Sequence, residues 1–526
     1  MWFVLRPFAW VVQDLGRGIY TSNRHAESIE VPMNVSLHSS DLSNLSAPLL
    51  AIPVFADEGQ RGELFTEIDG LLQGVPGKLA DEEGFDGKPG QTLLIHSTDS
   101  NIRRVMLVGV GKAESLKVAD LRKISAAAVQ EADRRKLASV AVALPPCDGA
   151  SDGDRIRFGT EGGVLGAYRY ETYLTQDVEP MTCEEVVLLG ANDADAESII
   201  SVAISVSEGV NLARDLVNGP PVEVTPSRMA DVARSIAADD GLEVTIFDKA
   251  EIKRQGMNLL MAVSAGSEQE PRFIHLTYRP EGANEDTPQV AFVGKGLTYD
   301  AGGFNLKPAA GLEDMKMDMA GGAAVLGAMK AVSAVKPNYI VHGIVPSSEN
   351  LISGAAYKVG DVFHSLNGKS VQVMNTDAEG RLILADALCY AERMGVDRIV
   401  DLATLTGACM VALGPHTAGL FSAHDEFAGR IEEAADRAGE DLWRLPLNKK
   451  LRPMLKSPIA DMKNVGQRWG GAITAALFLQ EFVGDVTWAH MDIAGPAYSD
   501  KADGYVPKGG TGYAVMSLIE LVKGEV

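Results

Sequence analysis

Twice along this 526-residue chain, short apolar runs alternate with stretches of helical periodicity, and that alternation restricts the fold to sheets whose faces are covered by helices. The first series runs from "PLLAIPVFA" (48–56) through "QTLLIHS", "RRVMLVGVG", a helix near 120–135 and "ASVAVALP" to "EEVVLLGAN". The second contains "EVTIF", "PRFIHLTY", "QVAFVGKG", "YIVHGIVP" and "RIVDLATL", again separated by helical stretches. Between them "AESIISVAISVSEGVNLARDLVN" (196–218) reads as one long helix ending at "GPP", and Thr225 and Pro226 carry the chemistry of the next helix start. The expected fold class is therefore α/β in two domains: a smaller N-terminal domain over 33–194 and a larger C-terminal one over 195–526, joined by the helix at about 196–218. In the second, a central mixed sheet flanked by helices is expected. Residues 1–32 read as a poorly ordered N-terminal extension. Arg6 and Pro7 break its apolar start, and no clean small-residue cleavage site follows, so it does not fit a signal peptide.

Charge narrows the partners. The formal net charge of −23 opposes broad binding to nucleic acid or anionic membranes, both of which require a basic footprint. Cys147, Cys183, Cys389 and Cys409 are too scattered for a disulfide framework or a metal knuckle, which suits reduced thiols in a cytoplasmic protein. No uninterrupted apolar run approaches the roughly 18 residues of a membrane span.

The stretch "NTDAEGRLILADAL" (375–388) places Asp377, Glu379 and Arg381 at alternate positions before an apolar helix, after the strand-like "SVQVM". In extended backbone alternate residues share a side, which would gather two carboxylates and a guanidinium at one spot. The plainer reading is that acids open helices and pair locally with an arginine. A second acidic cluster favours the functional reading. The strand "VAFVG" runs into a glycine-rich loop with Lys295, Asp300 and Lys307, and "EDMKMDMAGG" sets Asp318 just ahead of another apolar helix. The phosphate-loop pattern fails around "GKG", because Gln289 and Gly296 stand where Gly and Ser or Thr are needed.

Carboxylates crowded together repel unless cations or protons compensate them, and Asp300, Asp318, Asp377 and Glu379 offer oxygens enough for two divalent ions. Lysine in that company is either a counter-ion, the commoner case, or a neutral amine ligand whose pKa a dication has depressed. The nine histidines form no metal-binding pattern. His342 and His490 lie in apolar strand-like runs and read as core residues. An oxygen-dominated site suits Mn²⁺ or Mg²⁺ as readily as Zn²⁺, and the absence of G-x-S-x-G disfavours a serine hydrolase.

Taken in order, "GKGLTYDAGGFNLKP", "MKMDMAGGAA", "NTDAEGRL" and "ATLTGA" closely resemble the leucyl (cytosol) aminopeptidases, a likeness that extends from about residue 205 to the end. The resemblance implies a catalytic C-terminal domain that removes an N-terminal residue, preferentially Leu or another apolar one, from peptides with two divalent ions, Mn²⁺ or Zn²⁺. By motif position it implies Lys295, Asp300, Asp318 and Glu379 as ligands of a tightly held ion and Asp300, Asp377 and Glu379 as ligands of an exchangeable one. Lys307 is then the catalytic lysine that stabilises an oxyanion, and Arg381 the holder of a bicarbonate acting as general base. Substrate contacts fall to Met315 and Asn375 and to the segment with Thr404, Leu405 and Gly407. A homohexamer in the cytoplasm is implied as well.

Two departures from the family pattern stand out: Ala301 follows Asp300 where Ser is usual, and "GPPVEVTP" lacks the usual Asn. A di-metal phosphoesterase is the main alternative chemistry, which phosphatase against aminoacyl-reporter assays would separate. A DNA-binding role of the first domain is another, checked by a salt-dependent gel shift. A third is a member that has lost catalysis, against which every ligand-type position is filled. Because the regular pattern begins near Met33, the native protein is expected to start there; N-terminal sequencing that finds Met1 would overturn this.

Overall fold

The computed structural model describes residues 33–38, 44–57, 61–97, 101–176 and 178–524. The expected extension, 1–32, lies outside the described residues. The first sheet has six strands in the order Asn34–Leu37, Glu185–Leu189, Ser139–Ala143, Leu50–Phe55, Arg104–Gly111 and Thr92–His96. All neighbours are parallel except the last pair, an antiparallel edge. Parallel strands need crossovers, and the helices Leu121–Arg134, leading from Arg104–Gly111 to Ser139–Ala143, and Asp152–Gly166, leading from there to Glu185–Leu189, supply two of them.

The second sheet has nine strands and is mixed. Its centre is four parallel neighbours, Thr487–Asp492, Arg398–Ala403, Gln289–Gly294 and Ile340–Asn350. Antiparallel strands flank them at Ala418–Ser422, and at Arg272–Tyr278 followed by Glu243–Phe247. A short strand, Gly296–Asp300, pairs with the far end of Ile340–Asn350. The carboxyl ends of the central strands thus open on one edge of the sheet, where open α/β folds assemble their sites.

The helix Ala196–Asn218 lies where the sequence puts it, and Thr225 caps the next, its hydroxyl accepting from the Arg228 amide. Gly209 meets Gly327 of the helix Ala320–Val335 so closely that a Cβ on Gly209 would stand 2.3 Å from the Gly327 carbonyl oxygen. By length and composition the stretch Ala309–Val335 could cross a membrane, although no unbroken apolar run flags it; 78% of its apolar window is buried inside the molecule. A helix apolar all round suits a core position. The first sheet's helices are tied to the rest of the chain by buried ion pairs. Arg122 Nε donates to Glu161 at 2.7 Å and its Nη1 to the Ala438 carbonyl at 2.6 Å. Arg157 bridges Glu161 and Glu520, each at 2.8 Å.

His342 lies in the core, as its apolar strand implies, within a chain of polar contacts. Its Nε2 is 3.0 Å from Gln289 Oε1 and its Nδ1 2.9 Å from His275 Nε2, while His275 Nδ1 is 3.1 Å from the Tyr390 hydroxyl. One assignment satisfies every member with both rings neutral: Tyr390 donates to His275, His275 to His342, and His342 to Gln289. Burial lowers both, His275 to about 4 and His342 to about 3. Since the unfolded chain protonates first as pH falls below about 6.5, these rings stabilise the fold above that pH and lose that contribution on acidification. Between pH 7.5 and pH 5 the pair is therefore expected to withdraw about 2 kcal/mol of stability per ring. On acidification over this range the thermal midpoint of the wild type should thus fall relative to that of the double variant His275→Gln/His342→Gln, as differential scanning calorimetry would show.

Candidate active site

Five loops at the open edge of the second sheet bring the acidic positions together. Lys295 follows the strand Gln289–Gly294, its amide donating to the Leu402 carbonyl at 2.9 Å. Asp300 ends the short strand beside Asn350, whose Nδ2 donates to Asp300 Oδ1 at 2.8 Å; the Gly302 amide donates to the same oxygen at 2.8 Å. Asp318 sits in the 3-10 turn Met315–Met319, ahead of the core helix. Thr404, just past the strand Arg398–Ala403, donates its hydroxyl to Asp318 Oδ1 at 2.7 Å.

The segment carrying Asp377 and Glu379 is not extended. After Gln372 the chain leaves its strand and turns: the Asp377 amide donates to Asn375 Oδ1 at 2.8 Å, and Glu379, at φ −82° and ψ −37°, already has helical backbone before the helix Gly380–Arg393. The two carboxylates meet through this Asx-type turn rather than through strand alternation. Arg381 lies inside the first helical turn, buried, with Nη1 donating to the Asn464 carbonyl at 2.9 Å. It does not pair with the carboxylates as a local ion-pair reading would have it.

Two lysines hold the cluster. Lys295 Nζ is 2.6 Å from Asp318 Oδ2, 2.9 Å from Glu379 Oε1 and 3.2 Å from the Thr404 carbonyl oxygen. Lys307 Nζ is 2.8 Å from Asp300 Oδ2 and 2.7 Å from Asp377 Oδ1. Burial, then Glu379 and Asp318, push the Asp300 carboxyl well above its usual range. Burial likewise raises Asp318 to about 6 against the pull of Lys295. Glu379 is held below its usual value despite burial, because Lys295 and then Lys307 favour its charge. In this field Lys295 is a counter-ion, its own pKa raised by Asp318 and Glu379 against the effect of burial.

The donor set fits divalent cations. Asp300, Asp377 and Glu379 each offer an oxygen, all within 4.8 Å of one another. Glu379 Oε2 is buried without a hydrogen-bond partner, and such a group calls for a missing ligand. Four carboxylates face two lysines, so the cluster is short of positive charge. Oxygen donors of this kind suit Mn²⁺, Mg²⁺ or Zn²⁺.

Comparison with known proteins agrees. The profile of the cytosol aminopeptidase family, catalytic domain, matches residues 211–519, and that of its N-terminal domain matches residues 51–177. The chain belongs to the cytosol aminopeptidase family. Among family relatives, a protein of Cyanothece sp. named "Probable cytosol aminopeptidase" is 44% identical over 94% of this chain and 100% of its own length. One of the same name from Alkaliphilus metalliredigens is 41% identical over 93% of this chain and 99% of its own. A point mutant of tomato leucine aminopeptidase superposes with a TM-score of 0.85 at 38% identity, over 93% of this chain and 96% of that one. The bottromycin maturation enzyme BotP, solved in complex with Mn, gives 0.81 at 36% identity over 91% and 99%. As a cytosol aminopeptidase family member, the chain is a metal-dependent aminopeptidase with the two-domain α/β architecture of that family.

Of the other expected site residues, Asn375 forms the turn beside Asp377, Thr404 stands against Asp318, the Leu405 amide donates to Asp492, Gly407 opens the helix Gly407–Leu413, and Met315 starts the turn that holds Asp318. Motif reading missed Asn350, Asn464 and Tyr357. Asn464 Oδ1 accepts from the Met374 amide at 2.8 Å while its Nδ2 donates to the Asn375 carbonyl at 2.6 Å, and the Tyr357 hydroxyl donates to the Thr376 carbonyl at 2.7 Å. Asn350, at the end of "GIVPSSEN", offered the one usable signal, polar residues closing a core strand. Gly380 leaves room for the Lys295 side chain: a Cβ there would stand 2.6 Å from Lys295 Cε and 2.8 Å from its Nζ. Gly380→Ala is therefore expected to displace the Lys295 amine and lower kcat/KM about a hundredfold with the far-UV circular dichroism unchanged; wild-type kinetics would contradict it.

Proposed function

We propose that this chain is a leucyl aminopeptidase that removes Leu and other apolar residues from peptide N-termini using two divalent ions. The observation that carries this reading is the trio Asp300, Asp377 and Glu379 with Lys295 and Lys307 interleaved. In our assignment Lys295, Asp300, Asp318 and Glu379 would hold one ion, and Asp300, Asp377 and Glu379 the other. Mn²⁺ or Zn²⁺ are the expected metals, the former supported by the BotP complex with Mn. Bound ions supply Lewis acidity, which lowers the pKa of an attacking water and polarises the scissile carbonyl. Lys295 would serve there as a neutral amine, its proton lost beside a dication.

The chain's own groups do the rest. Lys307 holds a fixed positive charge where the carbonyl oxygen becomes an oxyanion. Arg381 is suited to anchor a bicarbonate as proton-moving base, because its Nε is buried with no acceptor. Thr404, Leu405 and Gly407, with Asn375, hold the substrate backbone, and Met315 borders the side-chain pocket. An apolar pocket separates neighbouring aliphatic residues by only about 1–3 kcal/mol per methylene, so broad preference is expected.

We take residues 33–194 as the N-terminal domain and 195–526 as the catalytic domain, in keeping with a first sheet that spans residues 34–189 and a long helix that follows it. Residues 1–32 remain assigned as an extension. A homohexamer in the cytoplasm is part of the proposal, the latter resting on the relatives' name, cytosol aminopeptidase; a solution mass near that of a monomer would contradict the former.

The deciding experiment is hydrolysis of leucine p-nitroanilide by chelator-stripped protein with Mn²⁺ or Zn²⁺ restored, beside Asp377→Ala and Glu379→Ala. Metal-dependent cleavage that both substitutions abolish, together with loss of the metal-induced rise in thermal midpoint, is expected. No cleavage by folded protein with any metal would overturn the proposal.

A further inference from the structure

Asp492 closes the strand Thr487–Asp492 in parallel register beside Ala403, and its carboxylate is fully buried. Its side-chain bonds converge on the loop that leaves the neighbouring strand. Oδ2 accepts from the Thr406 hydroxyl at 2.6 Å; Oδ1 accepts from the amides of Leu405 at 3.2 Å, Thr406 at 3.3 Å and Ala494 at 3.3 Å. The other side of the same loop is held by the metal-site cluster, where the Thr404 hydroxyl reaches Asp318 and its carbonyl receives Lys295. The segment 404–406 is thus clamped between the acidic site and one buried carboxylate.

A buried carboxylate is a costly way to fill a sheet edge, since desolvation penalises its charge and an apolar side chain would pack without that penalty. What it provides is direction: one rigid group fixes two amides and a hydroxyl of the loop. The strand beneath is itself fixed. On the same face, two and four residues earlier, His490 Nδ1 and Trp488 Nε1 both donate to Asp401, each at 2.6 Å, and His490 stacks on Phe421 with centroids 5.8 Å apart. None of these groups touches the carboxylate trio.

We propose that Asp492 is a positioning residue that presets the segment Thr404–Gly407 for the backbone of the peptide substrate, an inference that rests on the function proposed above. A preset loop spares the substrate the cost of ordering it. Because the loop grips ground state and transition state alike, its loosening raises KM and leaves kcat nearly unchanged.

The test is steady-state hydrolysis of leucine p-nitroanilide by the Mn²⁺-loaded full chain and by Asp492→Asn and Thr406→Val, with the Mn²⁺-induced shift in thermal midpoint measured in parallel. Both variants are expected to raise KM about tenfold, with kcat within about threefold and the metal-induced shift retained. KM within about twofold of wild type in a folded variant overturns the proposal. So does a parallel loss of kcat and the metal-induced shift, or failure of both variants to fold, since each marks a merely structural role. Wild-type protein that does not cleave at all would refute the aminopeptidase reading instead, which keeps the two failures apart.

Discussion

Three buried carboxylates, Asp300, Asp318 and Glu379, and the half-buried Asp377 beside them at one edge of a sheet are the constraint around which the rest of the catalytic half is arranged. Taking an ionised carboxylate out of water costs on the order of several kcal/mol even after relaxation, and Asp300 and Asp318 show that cost directly in their raised pKa values. Lys295 and Lys307 offset part of it by standing between pairs of acids drawn from different loops. The remaining shortage of positive charge makes the cluster receptive to divalent cations, in keeping with the metal dependence of the family to which the chain belongs.

Such a cluster is stable only if its loops cannot drift apart, and the scaffold provides for that. The parallel core strands end together, so that Lys295, Asp300, Thr404 and Asp492 emerge side by side. Asparagines then take over from the backbone ladder. Asn350 joins Asp300 to the Thr376 carbonyl, and Asn464 joins the turn at 374–378 to the guanidinium of Arg381. An amide serves here because it donates and accepts without adding charge to a site already crowded with it. Farther off, Arg122, Arg157, Glu161 and Glu520 bind the first sheet's helices to the catalytic half through paired buried charges, whose alternating signs avoid the repulsion that the carboxylate cluster exploits.

Local pattern was enough to foresee most strands of both sheets, though not Asn34–Leu37 or Ala418–Ser422, and with them the long helix Ala196–Asn218, the cap at Thr225 and the acids with their lysines. Each of these depends on residues close in sequence, through periodicity, capping chemistry or a contiguous motif such as "NTDAEGRL". The same local reading put Asp377, Glu379 and Arg381 on one face of an extended segment, whereas Asn375 and Asn464 fold it into a turn after which the arginine bonds the Asn464 carbonyl rather than the carboxylates. Asn464 lies 89 residues from Asn375 in the hydrogen bond that shapes this turn, and an isolated polar residue at such a distance leaves no periodic trace. Asp492, Tyr357 and the neutral histidine pair belong with it. Their identities are plain in the chain, but their partners are chosen by packing, where a buried polar group must find whichever donor or acceptor the fold brings within reach.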